Sequence, residues 1–272
     1  MTPDNVGRLM EKAADIGYDF VTLPMRRPSE LDVAGLARIV SASGIGALCT
    51  AGMCPGGDIG SDDPDRRELG RAHLKRVIAC ARDIGIRQIN GPLYGPLGKA
   101  AEPVTMDGFR RSAENLAGLA DIAAASGITL CVEILNRYET ALLNTVAQGL
   151  DFIELANRPN IKLHLDTFHM SIEERHAPTA AAEALTKLGY FELDQSHRGD
   201  LSEGSLDLAA ISATLAEGGY QGLVGVEAFS RCRLPDQHAN ALAIWRDHFD
   251  DADELARRAL AFIRQVFPTV ED

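Results

Sequence analysis

Residues 128–140 read ITLCVEILNRYET, a continuous apolar run that ends in a charged and polar turn. The first part has the length and composition of a buried parallel strand, and Glu133 is its only acidic residue. A lone carboxylate in such a strand is costly unless it is paired, protonated or bound to a metal. The stretch therefore predicts a strand with an acid near its C-terminal end, whose partners are expected elsewhere in the chain.

The same kind of strand recurs along the chain, in alternation with amphipathic helices. Seven strands are predicted, at 20–24, 45–50, 86–93, 128–135, 161–167, 190–195 and 223–229. Eight helices are predicted, at 2–17, 31–40, 62–84, 106–126, 143–157, 179–188, 206–217 and 252–266. Strict alternation with apolar strands is typical of a parallel sheet that helices cover on both faces.

The architecture predicted from this alternation is one α/β domain over residues 1–272, a (β/α)8 TIM barrel. A closed barrel of this kind has eight strands, and the missing strand is expected before the helix that starts at Thr2. Either the chain starts upstream, or the barrel lacks its first strand. A doubly wound open sheet is the competing architecture. No internal repeat, low-complexity tract or linker divides the sequence.

The bulk composition excludes several classes of function. The 272 residues are 46% hydrophobic and 24% charged, which is enough for a large core. The formal net charge of -12 argues against nucleic acid or an anionic membrane as the main partner. Five cysteines without CxxC spacing are expected to be reduced, which predicts a cytoplasmic protein. No signal-peptide pattern or long apolar run occurs, so neither secretion nor membrane spanning is expected.

Four consecutive predicted strands each place a carboxylate near the same end. These acids are Glu133, Asp166, Glu192 and Glu227. A single acid at a strand end is more often salt-bridged or partly exposed than functional. Because barrel active sites form at the C-terminal ends of the strands, and because clustered like charges repel, the four together predict a divalent cation. Ligation by oxygen alone favours Mg²⁺ or Mn²⁺ over Zn²⁺.

Other polar residues near these strand ends are candidates for contacts to a substrate. His169 lies three residues after Asp166, whereas His164 within the strand is predicted to be a packing residue. Arg198 in the segment QSHRGD is either a solvated charge or a donor to substrate oxygens. The Gly-rich residues 51–61 match no phosphate-binding fingerprint, and they are predicted to form a flexible loop over the pocket.

Several segments together resemble the ketose 3-epimerases, the D-tagatose and D-psicose 3-epimerase group of the xylose isomerase-like barrels. The matching pieces are VEILNRYET (132–140), KLHLDTFHMSIEE (162–174), VGVEAF (224–229) and IWRDHFDDADELARRALAFIR (244–264). The resemblance implies metal ligation by Glu133, Asp166 and Glu227, with Glu133 and Glu227 also forming the acid/base pair. It further implies that Glu139, His169 and Arg198 contact substrate oxygens.

One segment departs from the family pattern. The family motif HxHxxExxR supplies a fourth metal ligand from its second histidine, and the same register here covers Tyr190 to Arg198. Glu192 therefore stands in place of the ligand histidine, and Gln195 in place of the usual acid. A fourth carboxylate is expected to favour Mn²⁺ or Mg²⁺, with Co²⁺ as a further option.

The activity that the resemblance implies is inversion of C3 of a free ketose through an enediolate. A small sugar is then the expected substrate, and a homodimer or homotetramer the expected assembly. One alternative uses the same site for aldose–ketose isomerisation or for dehydration of a keto-sugar or inosose. A second alternative is an inactive barrel that binds a sugar.

Overall fold

Seven strands and ten α-helices form in residues 1–267, which the computed structural model describes. The strands are β1 (Phe20–Pro24), β2 (Gly46–Thr50), β3 (Gln88–Gly91), β4 (Thr129–Glu133), β5 (Ile161–Asp166), β6 (Leu188–Leu193) and β7 (Leu223–Val226). The helices are α1 (Pro3–Ile16), α2 (Val33–Ala42), α3 (Pro64–Ile84), α4 (Met106–Ala124), α5 (Val146–Ala156), α6 (Thr167–Glu173), α7 (Ala177–Ala184), α8 (Leu208–Glu217), α9 (Asp236–Ala241) and α10 (Ala252–Val266). All seven predicted strands and all eight predicted helices are present.

The chain divides into two compact units, Met1–His164 and the residues from Leu165 onward. In the first unit, β1 to β4 and the beginning of β5 are parallel, and each pairs with the next strand of the chain. In the second unit, β6 and β7 form a parallel pair that sets Glu192 opposite Gly225. The prediction of one domain over residues 1–272 stays a prediction.

Short sequence signals set the ends of the helices. The Thr2 hydroxyl accepts a hydrogen bond from the Asn5 amide, and Gly17 ends α1 with a φ of 104° that side chains rarely adopt. Helix α5 begins at Val146 rather than at the predicted residue 143. The reason is a capping box, in which Thr145 and Gln148 exchange side-chain and backbone hydrogen bonds at the helix start.

Helices α6 and α9 were not predicted, because each is too short to show an apolar stripe. In α6, the Asp166 carboxylate accepts a hydrogen bond from the Phe168 amide at 2.8 Å. Asp166 is therefore both the last residue of β5 and the N-cap of α6. As a result, His169 lies on a helical turn and not in an open loop.

The core of the first unit forms where α3 and α4 pack on β3 and β4. The buried side chains here are Leu74, Val77, Ile78, Ile89, Leu116, Leu119 and Leu130. Close packing of these aliphatic side chains fixes the strands whose ends carry the polar residues. No helix within residues 1–267 is long and apolar enough to cross a lipid bilayer.

Candidate metal and active site

Three carboxylates converge in the second unit, at the ends of its strands. Asp166 is the last residue of β5, Glu192 lies in β6, and Glu227 directly follows β7. One oxygen of each lies within 4.8 Å of the other two. Ligand oxygens on opposite sides of an octahedral Mg²⁺ are about 4.2 Å apart, so these three residues fit a cation of this kind. The predicted role of these three acids as metal ligands stays a prediction.

Backbone hydrogen bonds set this arrangement. The Glu227 amide donates to the Leu193 carbonyl at 3.0 Å, which extends the β6–β7 pairing by one residue. The Thr167 hydroxyl accepts from the Asp194 amide at 2.8 Å and lies 2.7 Å from the Asp194 carbonyl. These bonds join the start of α6 to the end of β6, and so they hold Asp166 beside Glu192 of β6.

Glu192 is a strongly perturbed acid of the cluster. Burial and the neighbouring Asp166 carboxylate raise the pKa of Glu192 to about 8, although hydrogen bonding and Arg198 oppose the rise. Its Oε1 accepts a hydrogen bond from the Tyr190 hydroxyl at 3.2 Å. The Tyr190 hydroxyl lies over Gly225, where any Cβ would collide with it. A divalent cation would relieve the repulsion between Glu192 and Asp166.

Arg198 balances the negative charge of the second unit. Its Nε donates to Asp194 Oδ2 at 2.7 Å, its Nη2 donates to Glu227 Oε2, and Nη2 is 3.6 Å from Asp166 Oδ2. The guanidinium carbon lies over the rings of Phe168 and Phe229, 4.5 and 4.7 Å from their centroids. Arg198 is therefore a buried counter-ion for the cluster. Its predicted contact to a substrate oxygen stays a prediction.

Asp194 belongs to the same constellation and was not predicted. Burial and the Asp166 carboxylate raise the pKa of Asp194, whereas the Arg198 guanidinium lowers it. Burial alone would lower the pKa of Arg198, but Glu227, Asp194 and Asp166 raise it above the ordinary value. The alternation of side chains in a strand was the available signal, since it places residues 192 and 194 on the same side of the chain.

His169 lies beside Asp166 in the second unit. Its Nε2 is 3.5 Å from Asp166 Oδ2, and its ring contacts the ring of Phe168 edge-on. Only 3% of His169 is exposed. The predicted role of His169 as a contact to substrate oxygens stays a prediction.

Gln195 anchors the loop that carries Arg198. Its Oε1 accepts from the amides of Ser196 at 2.8 Å and Leu206 at 3.0 Å, while its Nε2 donates to the Leu206 carbonyl at 3.3 Å. A glutamate at this position could accept the first two hydrogen bonds but could not donate the third. Gln195, which stands where the family pattern has an acid, thus joins the two ends of residues 196–206.

The first unit presents Glu133 as the last residue of β4. Its Oε2 lies 3.9 Å from Nδ1 of His164, the residue opposite it on β5. The Tyr94 hydroxyl donates to the Glu133 carbonyl at 2.8 Å. His164 is 2% exposed, as expected of a packing residue, and it also contacts the Glu133 carboxylate. The membership of Glu133 in the metal site stays a prediction.

Glu139 lies in a tight turn after β4. Its Oε1 accepts from the side-chain amide of Asn136 at 3.0 Å, and its carbonyl accepts from the Gly98 amide at 2.7 Å. The neighbouring residues Gly98 and Thr140 line a cavity of about 260 Å³ in the first unit. Gly60 and Asp58 of the Gly-rich loop line this cavity. The predicted contact of Glu139 to the substrate stays a prediction.

Several known proteins similar to this chain are sugar epimerases. The chain is 39% identical over 256 residues to an L-ribulose 3-epimerase of Mesorhizobium japonicum, covering 94% of this chain and 86% of the relative. It is 35% identical over 271 residues to a D-psicose 3-epimerase of Agrobacterium fabrum, covering 96% of this chain and 93% of the relative. A D-allulose 3-epimerase from Methylomonas sp., solved in complex with D-allulose, superposes with a TM-score of 0.93 at 34% identity, covering 97% and 92% of the two chains.

These relatives confirm the predicted resemblance to ketose 3-epimerases and the predicted enzyme class, an isomerase. They also confirm the predicted fold, an α/β TIM barrel. The family model for the xylose isomerase-like TIM barrel matches residues 10–266, nearly the whole chain. The chain therefore belongs to the family of xylose isomerase-like TIM barrels.

Proposed function

We propose that the chain is a metal-dependent epimerase that inverts C3 of a free ketose. The observation that carries the proposal is the convergence of Asp166, Glu192 and Glu227 within 4.8 Å of one another. The names of the relatives support the sugar and the position of the reaction, since they are L-ribulose, D-psicose and D-allulose 3-epimerases.

The proposed metal ligands are the three acids of the second unit, together with Glu133 from β4. When bound, a divalent cation would polarise the ketose carbonyl and stabilise the charge of an enediolate. Four carboxylates form a hard oxygen site, which suits Mn²⁺ or Mg²⁺, with Co²⁺ as a further option.

The proposed acid/base pair is Glu133 and Glu227. One carboxylate removes the proton from C3 of the ketose, and the other delivers a proton to the opposite face, which inverts the carbon. Arg198 stabilises the ionised form of Glu227 through its Nη2 hydrogen bond. The predicted contacts from Glu139, His169 and Arg198 would orient the sugar hydroxyls, so that only the C3 proton is within reach of the base.

The remaining expectations are part of the same proposal. A single domain over residues 1–272 is supported by one family model that matches residues 10–266. The absence of a basic phosphate loop in the sequence supports a free sugar over a sugar phosphate. A homodimer or homotetramer and a cytoplasmic location follow from the resemblance and from the five cysteines, which are free thiols.

The test is product analysis with the metal-loaded protein. The chelated protein, the Mn²⁺-loaded protein and a Mn²⁺-loaded Glu227→Gln variant are each incubated with D-fructose, D-tagatose and L-ribulose. We expect the C3 epimer of at least one ketose with the loaded wild type alone. Formation of an aldose would support isomerisation instead, and an ultraviolet-absorbing enone or dione would support dehydration. A loaded wild type that changes none of these sugars would contradict the proposed activity.

A further inference from the structure

We propose that Asp194 is a positioning residue of the epimerase. It holds the Arg198 guanidinium against Glu227, and so it fixes the carboxylate that exchanges the proton on one face of C3. The inference rests on the proposed function for the role of Glu227, and on the structure for the chain of contacts from Asp194 to Glu227.

The contacts from Asp194 to Glu227 are both made by the Arg198 guanidinium, which is one rigid group. Asp194 Oδ2 accepts from Arg198 Nε at 2.7 Å, and Nη2 of the same guanidinium donates to Glu227 Oε2. A guanidinium is planar, so fixing Nε also fixes the direction in which Nη2 points. Asp194 is fully buried and Arg198 is only 6% exposed, which keeps water from replacing either partner.

Asp194 is itself anchored to the start of α6. Its amide donates to the Thr167 hydroxyl at 2.8 Å, and its carbonyl lies 2.7 Å from the same hydroxyl. These bonds fix the backbone of Asp194, and so they fix the position from which its carboxylate holds Arg198.

Packing and backbone geometry limit the other motions of Arg198. Its guanidinium carbon packs over the rings of Phe168 and Phe229. Its backbone has a φ of 60°, in the left-handed region, and its carbonyl accepts from the Phe229 amide at 2.6 Å. The Asp194–Nε bond adds a directional contact, which ring packing does not supply.

The location of Asp194 argues against a purely structural ion pair. Asp194 shares the Arg198 guanidinium with Asp166 and Glu227, so a fourth acid here adds to the like charge of the cluster. A residue that only stabilised the fold would be better replaced by an apolar one, since buried ion pairs often contribute little net stability. The feature that the acid provides is a fixed orientation of Arg198.

The experiment compares proton exchange at C3 from each of two epimeric ketoses in D₂O, for wild type, Asp194→Ala and Asp194→Asn, all loaded with Mn²⁺. If Asp194 positions Glu227, exchange through the Glu227 face falls on the order of 10–100-fold more than exchange through the other face in Asp194→Ala. Asp194→Asn keeps an oxygen for Arg198 Nε and is expected to retain most of the exchange. Equal loss through both faces would overturn the proposal.

A double-mutant cycle tests whether Asp194 acts through Arg198. In an Arg198→Ala background, Asp194→Ala is expected to cause little further loss, because the contact it supports is already gone. Additive losses would overturn the proposal. The control is Asp200→Asn, which changes the charge of another acid of the second unit, paired with Arg258 at 2.6 Å. It is expected to leave the ratio of the two exchange rates unchanged.

A spectroscopic readout separates this inference from the proposed activity. With ¹⁵N-labelled arginine, the Arg198 Nε–H is expected to give a slowly exchanging NMR signal in wild type and in Asp194→Asn, and to lose that protection in Asp194→Ala. Protection that persists in Asp194→Ala would overturn the positioning role. If wild type shows protection but exchanges no C3 proton of any ketose, the proposed function fails while the contact stands.

Discussion

Arg198 is the residue on which the charge balance of the second unit depends. It lies within 4 Å of three carboxylates, those of Asp166, Asp194 and Glu227, and it is almost completely buried. One cation cannot neutralise these three acids together with Glu192. The remaining negative charge is what would attract a divalent cation, and Glu192 is the proposed ligand at which a change would test the metal preference.

The first prediction concerns Glu192→His. An imidazole nitrogen is a softer ligand than a carboxylate, so the variant is expected to bind Zn²⁺ or Co²⁺ more tightly relative to Mg²⁺, by on the order of tenfold. Calorimetric titration of the chelated proteins with each metal gives the ratio of affinities. Glu217→His, at the exposed end of α8, makes the same change outside the cluster and should leave the ratio unaltered. An unchanged ratio in Glu192→His would show that Glu192 is not a ligand.

The second prediction concerns Gln195. In Gln195→Glu the donor to the Leu206 carbonyl is lost and a negative charge is added beside a carbonyl oxygen, so residues 196–206 should loosen. We expect faster amide hydrogen exchange in this segment and a lower epimerisation rate, with β1 to β4 unaffected. Hydrogen exchange followed by mass spectrometry resolves the two regions. Amide exchange in residues 196–206 of the variant that is as slow as in wild type would contradict the anchoring role of Gln195.

At the scale of single residues, the sequence indicated the acids but not their partners. Glu133, Asp166, Glu192 and Glu227 are visible because each lies near the end of an apolar run. Asp194 lies within the predicted strand 190–195, but it follows the last apolar residue of YFELDQ and so does not stand out as a buried acid. The ion pairs of Arg198 depend on a left-handed backbone at a non-glycine residue, which no local pattern predicts.

At the scale of elements, the pairing of β6 with β7 depends on the absence of a side chain at Gly225. The Tyr190 hydroxyl lies over this residue while it donates to Glu192, and an added Cβ would collide with it. Strand β7 is thereby coupled to the position of the Glu192 carboxylate.

The third prediction follows from that contact. Gly225→Ala is expected to lower the free energy of unfolding by about 1–3 kcal/mol and to weaken metal binding, because Tyr190 must move away from Glu192. Adding Tyr190→Phe to Gly225→Ala removes the colliding oxygen and should restore a large part of the stability. Chemical denaturation of the two single variants and the double variant gives the coupling. Additive losses would show that the two residues do not interact in this way.

The fourth prediction concerns pH and helix α3. Burial lowers the pKa of His73, an effect that the Arg76 charge reinforces and a backbone hydrogen bond to Gly52 opposes. In the unfolded chain the histidine takes up a proton as the pH falls below about 6.5, whereas the folded protein resists protonation. Stability should therefore decrease below this pH. In His73→Gln this part of the decrease is expected to be absent between pH 6.5 and 5, as measured by denaturation at each pH.

Most elements were predictable because their apolar periodicity and caps are local. The predicted 252–266 helix and the predicted 20–24 strand have the bounds of α10 and β1. Helices α6 and α9, of seven and six residues, were not predictable from the sequence because they lack an apolar stripe and depend on caps and tertiary packing. The capping role of Asp166 sets His169 on the first turn of α6, a placement that its spacing from the strand end does not by itself indicate.

At the scale of the whole molecule, strand–helix alternation favoured a barrel but left an open doubly wound sheet as an alternative. The alternation of strands and helices indicates that the strands are parallel, but it does not indicate whether the sheet closes into a barrel. Membership in the xylose isomerase-like TIM barrel family decides for the barrel. The site at strand ends was predictable from that architecture, because barrel enzymes carry their polar residues there.

The most direct test of the account is solvent deuterium at C3. The Mn²⁺-loaded wild type is incubated in D₂O with D-fructose, D-tagatose or L-ribulose, and each recovered sugar is analysed by NMR. The account predicts that one ketose yields its C3 epimer carrying deuterium at C3, and that the chelated protein yields none. An epimer without deuterium at C3, or no deuterium at C3 of any ketose, would contradict proton transfer at that carbon.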